Sequence, residues 1–372
     1  MATHITTKEL RRRLAAAADA AAAAKIDALL ITPGADLTYL CGYEALPLER
    51  LTCLVVTPKG PTRIIVPALE VLAAKASPVP SLDIEIVAWQ ETEDPHRVAS
   101  RMLTKASRVA VNPQMWASHL FAFQKQLRLA RVGSDSIVAE LRMRKSKVEV
   151  AALREAGAAI DRVHAQVPSL LRPGRTEREV GADIAELILE AGHATVDFVI
   201  VASGPNSASP HHEVSERVIG VGDPIVVDIG GTMPSGYCSD CTRTYAVGTP
   251  PEEFVTAYAV LQEAQHAAVA HVKPAVTCAS IDAAARDVLT AAGLGEAFVH
   301  RTGHGIGMST HEEPYIVAGN TTPVEAGFAF SIEPGFYLPG KFGARIEDIV
   351  VATEDGVLTC NDETRDLVVV EV

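Results

Sequence analysis

Residues 223–248 read DPIVVDIGGTMPSGYCSDCTRTYAVG: an apolar run, a turn and a second apolar run. The turn is MPSG at 233–236, and Asp228 and Asp240 stand almost symmetrically about it. If the two runs pair as a hairpin, the carboxylates fall near one another across the strands, with Cβ atoms about 5 Å apart. Asp228 follows PIVV, so burial is expected for it. Two facing buried carboxylates repel each other and lose hydration. The pattern therefore calls for a positive charge between them.

The same arrangement recurs at residues 327–353, GFAFSIEPGFYLPGKFGARIEDIVVAT. Its turn lies near Pro339–Gly340, and Glu333 and Glu347 flank it at seven residues on either side. Strand interiors disfavour Asp and, less strongly, Glu, so four acids placed symmetrically about two turns point to function. Four carboxylates and an imidazole make a dinuclear metal site. Hard oxygen donors suit a divalent ion such as Mn²⁺, with Co²⁺, Zn²⁺ and Fe²⁺ as competitors. Two such ions, roughly 3.5–4 Å apart, share a bridging hydroxide that is a nucleophile at neutral pH.

The imidazole comes from residues 300–314, HRTGHGIGMSTHEEP, which hold His300, His304 and His311. His300 and His304 have the i, i+4 spacing of two ligands on one helix face. Gly303, Gly305 and Gly307 speak against a helix, at a cost of about 1 kcal/mol each. The glycines instead let the backbone around His304 pass close to the acids.

The rest of the chain bounds the reading. It has 372 residues, 48% hydrophobic, room for two domains. A net charge of -13 and a pI near 5.4 exclude the basic footprint of a nucleic-acid partner. The alanine-rich stretch after Arg11–Arg13 is interrupted by Asp19 and Lys25, so it reads as a surface helix capped by Thr6 and Glu9, not a signal peptide. No run of 18 apolar residues suggests a membrane span. Six scattered cysteines suit a reducing cytoplasm, and Cys238 and Cys241 read as ordinary small buried side chains.

Residues 1–140 alternate strand and helix patterns. DALLITP, DLTYLCGY, IEIVAW and RVAVNP look like strands, and LTCLVVTPKGPTRIIVPA looks like a hairpin turning at Lys59–Gly60. A long charged helical pattern begins with ELRMRKSKVEV, which places a domain boundary near 140–147. Beyond it lies a repeat. Pro173, Thr176, Ala191 and Gly192 recur at an offset of 101 as Pro274, Thr277, Ala292 and Gly293. Each copy follows a helical pattern and precedes a strand-like run, FVIVASG or FVHRTG, so a duplicated helix-helix-strand unit with a cleft between its halves is expected.

DIGG…SDCTRT, HGIG…HEEP, SIEPG and RIED together resemble the pita-bread metallopeptidases, which include methionine aminopeptidase, aminopeptidase P and prolidase. The resemblance covers the whole chain and implies an α/β protein. Residues 1–140 would be a small creatinase/prolidase-like α/β domain, and 141–372 a pita-bread α+β catalytic domain with an internal pseudo-twofold. It implies that Asp228 binds one metal, that His304 and Glu333 bind the other, and that Asp240 and Glu347 bridge. Glu333 would also act as general acid/base. His211, His300 and His311 would face the substrate, with His311 and His211 aiding catalysis. Arg345 would orient a carboxylate ligand or meet substrate. Family members are commonly homodimers.

The function this implies is hydrolysis of the bond before proline, with Xaa-Pro dipeptides favoured over the longer peptides of an Xaa-Pro aminopeptidase. One departure bears on that choice: some prolidases have Arg four residues after the histidine of HE-x-P, where this chain has Tyr315. A creatinase-like or non-catalytic relative would lack metal-binding acids, and all five ligand positions are intact.

Overall fold

Thr6 starts the first helix of the computed structural model, which describes residues 4–372. The Thr6 hydroxyl accepts the Glu9 N–H at 3.3 Å, and helix Thr7–Ala23 buries Leu10, Leu14, Ala17 and Ala21 along one side. Among the described residues no helix is long and apolar enough to cross a membrane.

The chain divides into two units, Ile5–Arg142 and one made chiefly of Met143–Val372. In the first, β1 (Ala28–Ile31), β2 (Cys53–Val56), β3 (Arg63–Pro67), β4 (Glu85–Trp89), β5 (Arg108–Val111) and β6 (Arg131–Ser134) form one sheet in the order β4-β3-β2-β1-β5-β6. β2 and β3 make the antiparallel hairpin expected around Lys59–Gly60, and β5 and β6 pair in parallel. The strand expected at DLTYLCGY is instead the helix Ala35–Cys41. Gly42, at φ +68°, ends it in the left-handed conformation and donates its N–H to Thr38. Leu37, Leu40 and Cys41 turn into the core at helical spacing. That packing overrides the strand preference of Thr38 and Tyr39. β6 carried no signal in the sequence reading.

The long helical pattern expected from residue 140 onward is broken. Helix Ile137–Met143 stops, Lys145 N–H bonds the Gly327 carbonyl at 2.8 Å, and a new helix runs Lys147–His164. Ser146 precedes it, donating its N–H to the Glu149 carboxylate at 2.9 Å.

The repeat is visible as two helix pairs, each laid on a sheet. Helices Lys147–His164 and Glu177–Glu190 cover a four-stranded sheet of β7 (Thr195–Ser203), β8 (Pro224–Thr232), β9 (Cys241–Val247) and the last strand, Val368–Val370. Helices Glu252–His271 and Cys278–Ala291 cover a sheet containing β10 (Gly303–Gly305), β11 (Glu312–Ile316), β12 (Ala329–Ile332), then β15 (Asp348–Thr353) and β16 (Gly356–Thr359). β13 (Gly335–Leu338) and β14 (Phe342–Arg345) form a separate hairpin between β12 and β15. Thr176 and Thr277 cap the two equivalent helices, 101 residues apart. In the second copy FVHRTG is not a strand before Gly303, because Arg286 takes the Phe298 and His300 carbonyls at 3.0 and 2.8 Å.

Period-two alternation sorts each strand into a helix side and a polar side. On β8, Ile225, Val227 and Ile229 pack under the helices, which turns Val226, Asp228 and Gly230 the other way. On β12 and β15, Phe330, Ile332, Val350 and Ala352 pack under the second helix pair, which leaves Ser331, Glu333 and Glu347 opposite. The acids thus lie on the sheet faces away from the helices.

Candidate active site

β8 and β9 pair antiparallel with Thr242 opposite Asp228, so Asp240 is a diagonal neighbour of Asp228 and not its direct partner. The β12–β15 and β13–β14 ladders share one register, Ile332 opposite Asp348 and Gly335 opposite Arg345, which sets Glu333 opposite Glu347. The Glu347 N–H bonds the Thr242 carbonyl at 3.1 Å, so the two halves of the repeat are joined at the acids.

His304 enters on β10. Cβ atoms on Gly303 and Gly305 would run into the carbonyls of Ser331 and Glu313. Only bare backbone fits there, and this close approach seats the imidazole among the acids. His304 Nδ1 donates to the Gly305 carbonyl at 3.2 Å, and Nε2 faces Glu333 Oε1 at 3.2 Å and Asp240 Oδ2 at 3.6 Å. Burial pushes the His304 pKa down to about 4, so the ring is neutral at pH 7.

Oxygen and nitrogen atoms of Asp228, Asp240 and Glu347 lie within 4.8 Å of one another, as do those of His304, Glu333 and Glu347, and of Asp240, His304 and His311. Asp228, Asp240, Glu347 and His304 are buried. Burial, then the charges of Glu347 and Asp228, push Asp240 well above the usual carboxylate range. Burial and then Glu333 do the same to Glu347. Asp228 accepts from Arg345 on Oδ2, and Glu347 accepts from the Thr242 hydroxyl on Oε2 at 2.8 Å. The other oxygen of each, Asp228 Oδ1 and Glu347 Oε1, is buried with no hydrogen-bond partner. Buried orphan acceptors are rare in folded proteins. Two on adjoining carboxylates, beside a neutral imidazole, are what a bound divalent cation would satisfy, and the residues present fit one.

Arg345, 2% exposed, donates to Asp228, to Thr242 Oγ1 at 3.1 Å and to the Tyr337 hydroxyl at 2.7 Å. Tyr337 in turn meets His300 Nε2 at 2.9 Å, while His300 Nδ1 donates to the Arg301 carbonyl at 2.8 Å. Both nitrogens of His300 are therefore engaged. Its ring lines the cavity and is tied through Tyr337 to Arg345. His311 is exposed on one side and lies tilted against His304, with ring centroids 3.9 Å apart and ring planes 43° apart. Burial of its inner face, then His304, push its pKa down to about 4. His211 is exposed in the same cavity, whereas His212 turns away to the Glu177 carboxylate at 2.8 Å.

The acids open into a cavity of about 640 Å³. Asp197, Phe198 and Ile200 on its β7 wall, and Arg301 beside the histidines, carry no motif that marks them in the sequence. Thr242 and Tyr337, which bond the candidate ligands, were also missed. Thr242 was within reach: two residues from Asp240 on a strand, it must share its face. All six cysteines are free and buried, and Cys238 and Cys241 join no metal-ligating cluster among the described residues.

Comparison with known proteins agrees with this geometry. Residues 151–354 match the model of metallopeptidase family M24, and 13–144 match the creatinase/prolidase N-terminal domain. The chain is 51% identical over 97% of its length to a probable dipeptidase PepE of Mycobacterium tuberculosis, covering 96% of that protein. It is 35% identical to an Xaa-Pro dipeptidase of Lactobacillus helveticus, over 93% of this chain and 95% of that one. The crystal structure of dipeptidase PepE from Mycobacterium ulcerans superposes with a TM-score of 0.95 at 52% identity, over 99% of this chain and 100% of that one. With the family's domain pair spanning most of the chain and near-full-length relatives at these identities, the protein belongs to metallopeptidase family M24, on the pita-bread fold with a creatinase/prolidase N-terminal domain.

Proposed function

We propose that the protein is an Xaa-Pro dipeptidase that works with two divalent metal ions. The observation that carries the two-ion reading is the pair of buried oxygens without partners, Asp228 Oδ1 and Glu347 Oε1: the two acids share one ligand cluster with Asp240, and Glu347 also belongs to a second with His304 and Glu333. Asp228 would hold one ion, His304 and Glu333 the other, and Asp240 and Glu347 both. The oxygen-rich set favours Mn²⁺. When bound, the ions polarise the scissile carbonyl and acidify water.

The protein's own groups do the rest. Hydrolysis puts hydroxide on the acyl carbon and a proton on the proline nitrogen. Glu333, whose side chain is 14% exposed at the cavity, would take the proton of the attacking water and deliver it to that nitrogen. The Ser331 hydroxyl steadies Glu333 Oε1 at 3.0 Å. His311 and His211 border the open cavity and would donate to the carbonyl oxygen as it gains charge. Arg345 fixes Asp228, and His300 steadies Arg345 through Tyr337.

The dipeptidase reading needs an anchor for a free carboxylate. Tyr315 is no such anchor by itself, but the Arg301 guanidinium lies 4.3 Å above its ring and lines the cavity. A flat guanidinium held on an aromatic face is suited to a carboxylate. The PepE and Xaa-Pro dipeptidase relatives named above point the same way. The test is a panel of Xaa-Pro dipeptides against Xaa-Pro-Yaa tripeptides with added Mn²⁺. Higher kcat/KM for dipeptides supports this reading, and a preference for tripeptides would replace it with an Xaa-Pro aminopeptidase.

A further inference from the structure

The β7–β8 ladder breaks at one place. Val196 pairs with Gly231 and Phe198 with Gly230, so Asp197 is an extra residue with no partner. Alternation would point Asp197 and Phe198 to opposite faces. A bulge re-aims side chains, and here both line the cavity. Gly230 permits this, since a Cβ there would collide with the Phe198 ring. The wall then runs from Asp228, past Ile200 directly opposite it, to Phe198 and Asp197.

The Asp197 carboxylate is fixed at the end of that wall. Thr195 donates to Oδ1 at 3.0 Å and Thr232 to Oδ2 at 2.7 Å. No Lys or Arg among the described residues forms an ion pair with it. An exposed aspartate is by default a solvated surface group. This one is held in place by two hydroxyls and turned into the reaction cavity by a backbone irregularity.

We propose that Asp197 selects a cationic side chain, Lys or Arg, on the residue that donates the scissile carbonyl. The proposal rests on the reading of Asp228, Asp240, His304, Glu333 and Glu347 as the reaction centre. Asp197 is three residues from Ile200, about 10 Å along the strand. A substrate α-ammonium stays beside the scissile carbonyl and does not span that distance, whereas a long side chain does. Its methylenes would lie on Ile200 and Phe198, and its charge would meet Asp197.

The experiment compares lysine with norleucine, which keeps the stem and drops the charge. kcat/KM is measured for the Mn²⁺-loaded enzyme on Lys-Pro and norleucine-Pro, and on Lys-Ala and norleucine-Ala. The lysine:norleucine ratio should be about ten or more at low salt, the usual effect of a hydrogen bond to a charged group, and should shrink as salt screens it. In Asp197→Asn it should fall toward one, and Asp197→Lys should turn the preference to Glu-Pro. A wild-type ratio of one, or a ratio that Asp197→Asn leaves alone, overturns the proposal. So does an equal loss on both substrates, which would put Asp197 at the α-ammonium or in the fold. The alanine series keeps the two readings apart: an enzyme that cleaves before alanine and not before proline refutes the proline reading, while the ratio still reports on Asp197.

Discussion

His304 points Nε2 at Glu333 Oε1 across 3.2 Å while its Nδ1 is committed to the Gly305 carbonyl. With the ring neutral, two lone pairs face each other in a buried site. A cation held by these two residues would turn that repulsion into ligation, and neutral imidazole is the form that ligates metals.

His304→Ala and His311→Ala should therefore differ, although the rings touch. Loss of His304 should weaken one metal site, and excess Mn²⁺ should partly restore activity. Loss of His311 should leave both metals bound and slow turnover by about 10²–10³-fold, the usual cost of one oxyanion donor, with no rescue. Titrating Mn²⁺ against activity in both variants decides it. Equal metal loss in the two would mean the roles are wrongly divided.

Gly303→Ala should be more harmful than one methyl group suggests. Its Cβ would meet the Ser331 carbonyl, and β10 would have to move away from β12, taking His304 with it. Overpacking of this kind costs about 1–3 kcal/mol. Thermal melting should show that loss, and metal content should fall with it. A variant with unchanged melting and full metal content would show that the strands do not depend on this contact.

How far the sequence disclosed this site can be traced residue by residue. Glu333 and Glu347 were readable because their symmetry about Pro339–Gly340 survives into a continuous register. Asp228 and Asp240 were readable as neighbours, but their diagonal offset depends on where the β8–β9 turn closes, which the residue pattern leaves open. Asp197 was invisible because nothing in TVDFVIVAS announces a bulge, and plain alternation would set it on the face opposite Phe198. DLTYLCGY misled because short apolar runs do not separate strand from helix, and the decisive features were Gly42 as a cap and burial of Leu37 and Leu40.

His164 should make stability depend on pH away from the reaction site. It is fully buried between the Tyr245 hydroxyl and the Cys241 carbonyl, at 2.9 and 3.0 Å, and burial pushes its pKa down to about 3. The unfolded chain takes a proton at the ordinary histidine value near 6.5, and the folded one does not. Stability is therefore held above pH 6.5 and falls as pH drops from there toward 3, by about 2 kcal/mol at pH 5. Urea unfolding at pH 7 and pH 5 should show this loss. His164→Asn should start less stable and decline less steeply. An equal decline in both would remove His164 from the account.

The requirement proposed for hydrolysis is a pair of metal ions among Asp228, Asp240, His304, Glu333 and Glu347. Its most direct test is elemental analysis of the protein dialysed against a chelator and reloaded with Mn²⁺, read beside the rate of Xaa-Pro hydrolysis. Metal-free protein should be inactive, Mn²⁺ should restore the rate, and full activity should coincide with two ions per chain. Full hydrolysis by metal-free protein, or saturation of the rate at one ion per chain, would contradict it.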